Sequence, residues 1–106
     1  MFESISLDNF ESEILKEKGP ILLAYICRDH EFKRQIDILK IISKKYGETL
    51  KICLLDEKYG KTYKEFEIEG DPTFLVYYRG KKSGMMLGKV DTETLCSFIS
   101  KTLPNF

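Results

Sequence analysis

Hydrophobic positions change their spacing several times along the chain, and each change predicts a new element. Residues 21–27, ILLAYIC, form a nearly continuous apolar run directly after Gly19-Pro20, which is typical of a central strand covered on both faces. From about Asp29 the apolar residues recur at helical spacing, which predicts a helix of roughly four turns ending before Gly47. The predicted apolar stripe of that helix consists of Phe32, Ile36, Ile38, Leu39, Ile41 and Ile42.

Shorter patterns before and after this pair predict the rest of an α/β domain. A strand at residues 4–6 precedes a capping-box pattern, Asp8 with Glu11, and a helix with Phe10, Ile14 and Leu15 on its apolar face. After the long helix, the pattern predicts a strand at 50–55 and a short helix around 59–66. It then predicts two strands, at 73–78 and 85–89, joined by a turn at 79–82, and a last helix capped by Asp91. From residue 21 onward the predicted order is βαβαββα, a mixed central sheet flanked by helices on both faces.

Composition and charge narrow the possible functions. The 106 residues suit one domain, 1–106. Seventeen Lys and Arg balance seventeen Asp and Glu in an interspersed pattern, which argues against nucleic-acid and anionic-membrane partners. The apolar run at residues 20–27 is shorter than a membrane span and the start of the chain is acidic, so we expect a cytoplasmic protein.

The cysteines and the single histidine give little sign of metal or disulfide chemistry. Cys27, Cys53 and Cys96 are an odd number without a short pairing motif, so neither a disulfide framework nor a zinc site is expected. His30 lies between two acids, but adjacent side chains at a helix start do not converge on one ion. We therefore expect no metal and no cofactor, and we interpret Asp29 as a helix cap.

Four segments carry a resemblance to the thioredoxin family that covers the chain from Ser4 to Leu103. They are the strand ILLAYI, the helix ending in KKYG, the run FEIEGDPTFLVYYRGK, and Gly88 before the terminal helix. The resemblance implies a thioredoxin fold with a cis peptide bond before Pro72, where the backbone of the preceding residue pairs with a bound peptide. That preceding residue is Asp71 here, in place of the family's usual apolar residue.

The redox centre of the family is absent at the matching positions. Its cysteine pair aligns with residues 29–32, Asp-His-Glu-Phe, from the helix side, or with residues 30–33 from the strand side, and neither stretch contains a cysteine. The family's buried aspartate corresponds to Ala24. The sequence therefore argues against the activity of a dithiol disulfide reductase.

Our first hypothesis is a non-catalytic binding or chaperone-type module whose partner is another protein or an extended peptide. Three segments would form its groove: the loop Arg28, Asp29, His30, Glu31 and Phe32, the segment Asp71, Pro72 and Thr73, and the loop Leu87, Gly88 and Lys89. Neither the partner nor the oligomeric state follows from the sequence.

A second hypothesis is a monothiol oxidoreductase or redox sensor. Cys27 would be its nucleophile, Arg28 and the helix dipole would favour the thiolate, and His30 would exchange the proton. Alternatively, Cys27 ends its strand as a small, partly buried packing residue. A third hypothesis is a structural subunit in which the fold serves only as a scaffold.

Overall fold

The fold is built on one mixed five-stranded sheet. A computed structural model describes residues 2–6, 8–56, 68 and 70–103. The strands are β1 Glu3–Ile5, β2 Pro20–Tyr25, β3 Lys51–Leu55, β4 Thr73–Tyr78 and β5 Lys81–Leu87. Their order in the sheet is β1-β3-β2-β4-β5. β2 pairs in parallel with β3 and antiparallel with β4, β1 is parallel to β3, and β5 is antiparallel to β4.

Two α-helices, α1 Phe32–Tyr46 and α2 Thr92–Thr102, pack against one face of the sheet, and a π-helical turn, Glu11–Leu15, packs against the other. The predicted α/β order is confirmed for these elements. The helix predicted around residues 59–66 lies outside the described residues.

The predicted Asp8 cap of the first helix is wrong, because Phe10 occupies the cap position of the turn and makes no side-chain cap bond. Asn9, not Asp8, organises the turn, since its side chain accepts from the Ser6 N–H at 2.8 Å and donates to the Ser4 carbonyl at 2.8 Å. The Lys16 N–H then bonds to the Glu11 carbonyl, five residues back, at 3.0 Å. This wider turn shifts the side-chain period, so Ile14 is fully buried whereas Leu15 is 42% exposed.

The core consists of two clusters, because successive residues of a strand point to opposite faces of the sheet. Phe74 and Val76 of β4 join α1 and α2 on one face, and Leu75 and Tyr77 join the π-helical turn on the other. The stripe predicted for α1 is too wide, because Ile41 is 52% exposed. The residues of α1 that are buried are Gln35, Ile38, Leu39 and Ile42.

The β4–β5 connection is shorter than predicted. Arg79 and Gly80 have positive φ angles of 52° and 78°, and such a pair is typical of a two-residue hairpin turn that matches strand twist. β5 consequently begins at Lys81, four residues before the predicted strand. The pairing register shifts between Val76 and Tyr77, which leaves a bulge in the hairpin.

The start of α2 is fixed as predicted and also tied to α1. The Asp91 carboxylate accepts from the Thr94 N–H at 2.7 Å, and this bond holds the pKa of Asp91 below its usual range. One residue earlier, the buried Gln35 side chain of α1 donates to the Val90 carbonyl at 3.2 Å and accepts from the Val90 N–H at 3.5 Å. The chain that follows β5 is thereby held against α1.

Candidate functional site

Two loops that are far apart in sequence meet at the carboxyl end of β2. The Asp71 carboxylate accepts from the backbone N–H of Cys27, with 2.8 Å between nitrogen and oxygen. β2 itself ends at Tyr25, two residues earlier than predicted, so Cys27 lies in the loop that leads to α1. Asp71 thus joins that loop to the segment that enters β4.

The segment around Pro72 is held on its other side by the end of β5. The Asp71–Pro72 peptide bond is cis. The Pro72 carbonyl accepts from the Gly88 N–H at 2.8 Å, and the Thr73 hydroxyl donates to the Gly70 carbonyl at 2.7 Å. Gly88 has a φ of 96°, a conformation that an L residue with a side chain rarely adopts.

Leu87 gives this end of the molecule an apolar surface. It lies opposite Thr73 in the β4–β5 ladder and is 46% exposed. The segments 71–73 and 87–88, which the sequence predicted to form two sides of one groove, are therefore neighbours in the structure.

The start of α1 carries a carboxylate. α1 begins at Phe32, three residues later than predicted, because residues 29–31 form a tighter turn in which the Phe32 N–H bonds to the Asp29 carbonyl at 3.1 Å. The Asp29 carboxylate accepts from the Glu31 N–H at 2.8 Å within this turn. The predicted capping role of Asp29 is wrong, because Glu31 occupies the cap position of α1 and no side chain bonds to the first turn of the helix there. The Arg28 guanidinium lies 4.7 Å from the centre of the Phe32 ring, which places both side chains in one surface cluster.

Cys27 and His30, the two residues of the monothiol hypothesis, lie in different surroundings. Cys27 is half-buried, and its thiol donates to the Tyr25 hydroxyl with 3.4 Å between Sγ and Oη. The His30 side chain is 83% exposed, and its Nε2 lies 4.0 Å from a Glu31 carboxylate oxygen. Cys27 also precedes α1 by five positions, so the helix dipole does not act on its thiol as it would on a capping residue.

The thiols of Cys53 and Cys96 are buried and partly buried, respectively. Cys53 on β3 is fully buried, and the loss of solvation raises the pKa of its thiol from 9.0 to about 12. Cys96 on α2 packs partly buried against the cluster that contains α1. Among the described residues no group of histidine, cysteine and acidic side chains is placed to hold a metal ion.

A cavity of about 320 Å³ opens beside this groove and was not anticipated from the sequence. It lies between the β1 segment, the end of β3 and the loop after β2. Asp56, a polar residue just after β3, was the sequence signal that could have pointed to it. Arg28 and Phe32 line both the cavity and the predicted groove. The remaining lining residues are Phe2, Ser4, Ile26, Leu54, Leu55 and Asp56.

No helix in the part of the chain that the structure describes is long and apolar enough to cross a membrane.

Comparison with known proteins relates this site to one family. The sequence profile of the Thioredoxin family matches residues 2–101. The chain is 26% identical over 101 residues to a thioredoxin of Acidithiobacillus ferridurans, with 93% of this chain and 94% of the relative covered. It is 24% identical over 97 residues to a thioredoxin of Pseudomonas aeruginosa, with 90% of each chain covered.

A plant relative is similar over part of its length. Thioredoxin Y, a chloroplastic protein of Oryza sativa subsp. japonica, is 24% identical over 102 residues, and the match spans 92% of this chain but 60% of that relative. The profile match over nearly the whole chain, on a mixed five-stranded sheet with helices on both faces, shows that this chain belongs to the thioredoxin family.

Proposed function

We propose that this protein is a thioredoxin-like binding module without dithiol chemistry, which holds an extended segment of another protein in the groove formed by residues 28–32, 71–73 and 87–88. One observation carries the proposal: the positions that match the family's cysteine pair hold no cysteine, whether the pair is aligned with residues 29–32 or with residues 30–33. At the facing loop, the Asp71 carboxylate accepts from the Cys27 N–H. No two cysteines of the chain are close enough in sequence to form the short redox motif.

The groove combines main-chain and side-chain features suited to an extended ligand. The backbone of Asp71, the residue before the cis peptide bond, would offer a short edge for strand-like pairing, which supplies affinity independent of sequence. The exposed Leu87 side chain and the cavity beside Phe32 would take apolar side chains of the ligand. The Asp71 carboxylate would favour a cationic residue of the ligand beside it.

A binding assay with an unfolded probe tests this function. The probe is a reduced and carboxymethylated protein, which stays unfolded and has no thiol to exchange. We expect Asp71→Ala and Leu87→Ala to weaken binding, whereas Cys27→Ser and the control Asp37→Ala, a half-exposed acid on α1, leave it unchanged. Loss of binding in Cys27→Ser, or insulin reduction at the rate of an ordinary thioredoxin, would contradict the proposal.

Cys27 supports a second candidate function, a monothiol exchange. Its thiol is half-buried at the groove and not sealed in the core, and the curated relatives are named thioredoxins. In such a step the Cys27 thiolate attacks one sulfur of glutathione disulfide, a mixed disulfide forms, and one glutathione leaves as its thiolate.

Alkylation rates separate the two functions. Iodoacetamide labelling of the native protein, followed by mass spectrometry from about pH 5 to about pH 9, gives the reactivity of each thiol. The binding function predicts that Cys27 reacts as an ordinary thiol. Selective reaction of Cys27 below neutral pH would favour the monothiol function.

Since the three cysteines of the chain form no short disulfide-pairing motif, we also propose that the protein works in the cytoplasm, where thiols stay reduced.

A further inference from the structure

The β4–β5 hairpin carries charge of only one sign, although the chain as a whole is neutral. Between Pro72 and Val90 the sequence has no aspartate and no glutamate. It has four basic residues in that stretch, Arg79, Lys81, Lys82 and Lys89. Its four basic residues and no acidic one give this stretch a formal charge of +4 on a protein with a net charge of zero.

These charges lie at the two ends of an edge strand. β5 is the outermost strand of the described sheet and pairs with β4 alone in it. Lys81 begins β5 and Lys89 follows its end, and both residues are exposed. From Gly84 to Leu87 the ladder with β4 is regular, so this part of the strand has the straight geometry that a further strand can pair with.

The two faces of β5 differ in how accessible they are. Gly84 and Met86 face α2, and a Cβ on Gly84 would lie 2.5 Å from the Thr102 methyl carbon, so this face is closed by the helix. Met85 and Leu87 point to the opposite face, where Met85 packs partly buried against the second core cluster and Leu87 is 46% exposed. A strand added to β5 would therefore meet two alternating apolar side chains between two lysines.

We propose that β5 is a second interaction surface, which binds an extended acidic segment of a partner protein as a sixth strand of the sheet. The segment carries acidic residues at both ends, opposite Lys81 and Lys89, and apolar residues at alternate positions between them, against Met85 and Leu87. Main-chain hydrogen bonds supply affinity and the flanking charges supply selectivity. This surface shares Leu87 and Lys89 with the loop predicted to line the groove at Pro72. It rests on the free edge and the lysines of β5 and not on the segment at Pro72, so it does not depend on the function proposed above.

The positive charges also argue against a second copy of this chain as the occupant. Two β5 strands placed edge to edge would bring lysines of like charge together, which is how natural edge strands avoid self-pairing. An acidic strand, by contrast, is attracted by the lysines of β5.

A synthetic peptide tests the proposal by fluorescence anisotropy. The probe alternates valine and threonine and carries glutamates at both ends. We expect saturable binding that weakens as salt is raised from about 0.05 M to about 0.5 M. Lys81→Gln with Lys89→Gln should weaken binding roughly three- to tenfold. The matched control, Lys44→Gln with Lys45→Gln, removes the same charge from the exposed end of α1 and should leave the affinity unchanged.

A second probe tests strand addition without any variant of the protein. N-methylation of alternate peptide amides removes the donors of the ladder and should abolish binding. The proposal is overturned if wild type shows no saturable binding, if the methylated peptide binds equally well, or if the two double variants have the same affinity. It is also overturned if a single-stranded oligonucleotide competes as well as the acidic peptide, because the surface would then bind anions in general. The proposal is overturned as well if the free protein dimerises and the dimer excludes the peptide, because β5 would then bind a second copy of this chain.

Discussion

At the scale of single residues, the Asp71 carboxylate has a role that its position in the sequence does not reveal. Its place before Pro72 indicated only a charge beside a backbone edge. The structure shows that the carboxylate is used within the fold, on the Cys27 N–H, 44 positions away. Side-chain bonds of this kind depend on which loops the topology brings together, so the pattern of the local sequence does not predict them.

Burial makes Cys53 the least reactive of the three thiols. Because the folded state raises its pKa from 9.0 to about 12, iodoacetamide near pH 8 should leave Cys53 unmodified in the native protein and modify it after unfolding. Mass spectrometry of the labelled peptides measures this. The result is contradicted if Cys53 reacts as quickly as the half-buried Cys96.

The same shift in pKa predicts how stability depends on pH. The folded state favours the neutral thiol, so the contribution of Cys53 to the free energy of unfolding is complete below about pH 9 and is lost as the pH rises toward about 12. Wild type should therefore lose stability more steeply than Cys53→Ala over this range, as measured by urea unfolding. Since both proteins share the same tyrosines and lysines, equal slopes would rule out the contribution of Cys53.

Gln35 is predicted to stabilise the protein through hydrogen bonds more than through volume. Gln35→Leu keeps the size of the side chain but leaves the Val90 N–H and carbonyl without their partner in a buried site. We expect it to lower the free energy of unfolding by about 1–3 kcal/mol. Asp37→Ala, at a half-exposed position of the same helix, should change it by less than about 0.5 kcal/mol. Equal effects of the two changes in urea unfolding would show that the Gln35 contacts contribute nothing.

At the scale of elements, the ends of helices and strands are where sequence patterns and structure differ. The apolar run continued through Cys27, yet β2 ends at Tyr25 because the next residues turn toward Asp29. Periodicity reports which residues are apolar, but the end of a strand is decided by the hydrogen bonds of its neighbours. The Asp91 cap was predicted correctly because its signal is local and chemical.

The turn between β4 and β5 gives a prediction at this scale. Gly80 has a φ of 78°, and an added Cβ would lie within 2.4 Å of the Leu15 carbonyl oxygen, so Gly80→Ala must both strain the backbone and displace the π-helical turn. Gly47, after α1, has a φ of 58° with no atom within 4 Å of an added Cβ, so Gly47→Ala carries the backbone cost alone, about 1–3 kcal/mol. Thermal unfolding should show a larger fall in Tm for Gly80→Ala than for Gly47→Ala. The reverse order would contradict the contact with Leu15.

At the scale of the whole molecule, the two core clusters share one sheet and should unfold together. Leu39 is fully buried in the cluster on the α1 face, and Ile14 is fully buried in the cluster on the opposite face. Leu39→Ala and Ile14→Ala should each lower the free energy of unfolding by about 2–5 kcal/mol and shift one cooperative transition. Calorimetry that resolves two transitions in either variant would contradict a common core.

Much of the fold could be predicted from the sequence because each strand is a short apolar run between turn signals. The candidate site was predictable where it depends on element order, which places residues 71–73 and 87–88 side by side. It was not predictable where it depends on side-chain partners, such as the Tyr25 hydroxyl beside the Cys27 thiol. The cavity lined by Phe2 and Phe32 was likewise not predictable, because residues from three separate segments of the chain form it.

The hydrogen bond between Asp71 and the Cys27 amide makes a natural reporter of the groove. An amide proton held by a carboxylate exchanges with deuterium only when the two groups part. The exchange rate at Cys27 therefore measures how often the loop before α1 separates from the loop before β4. A ligand that bridges both loops would slow that exchange, whereas one that takes the Asp71 carboxylate for itself would speed it up.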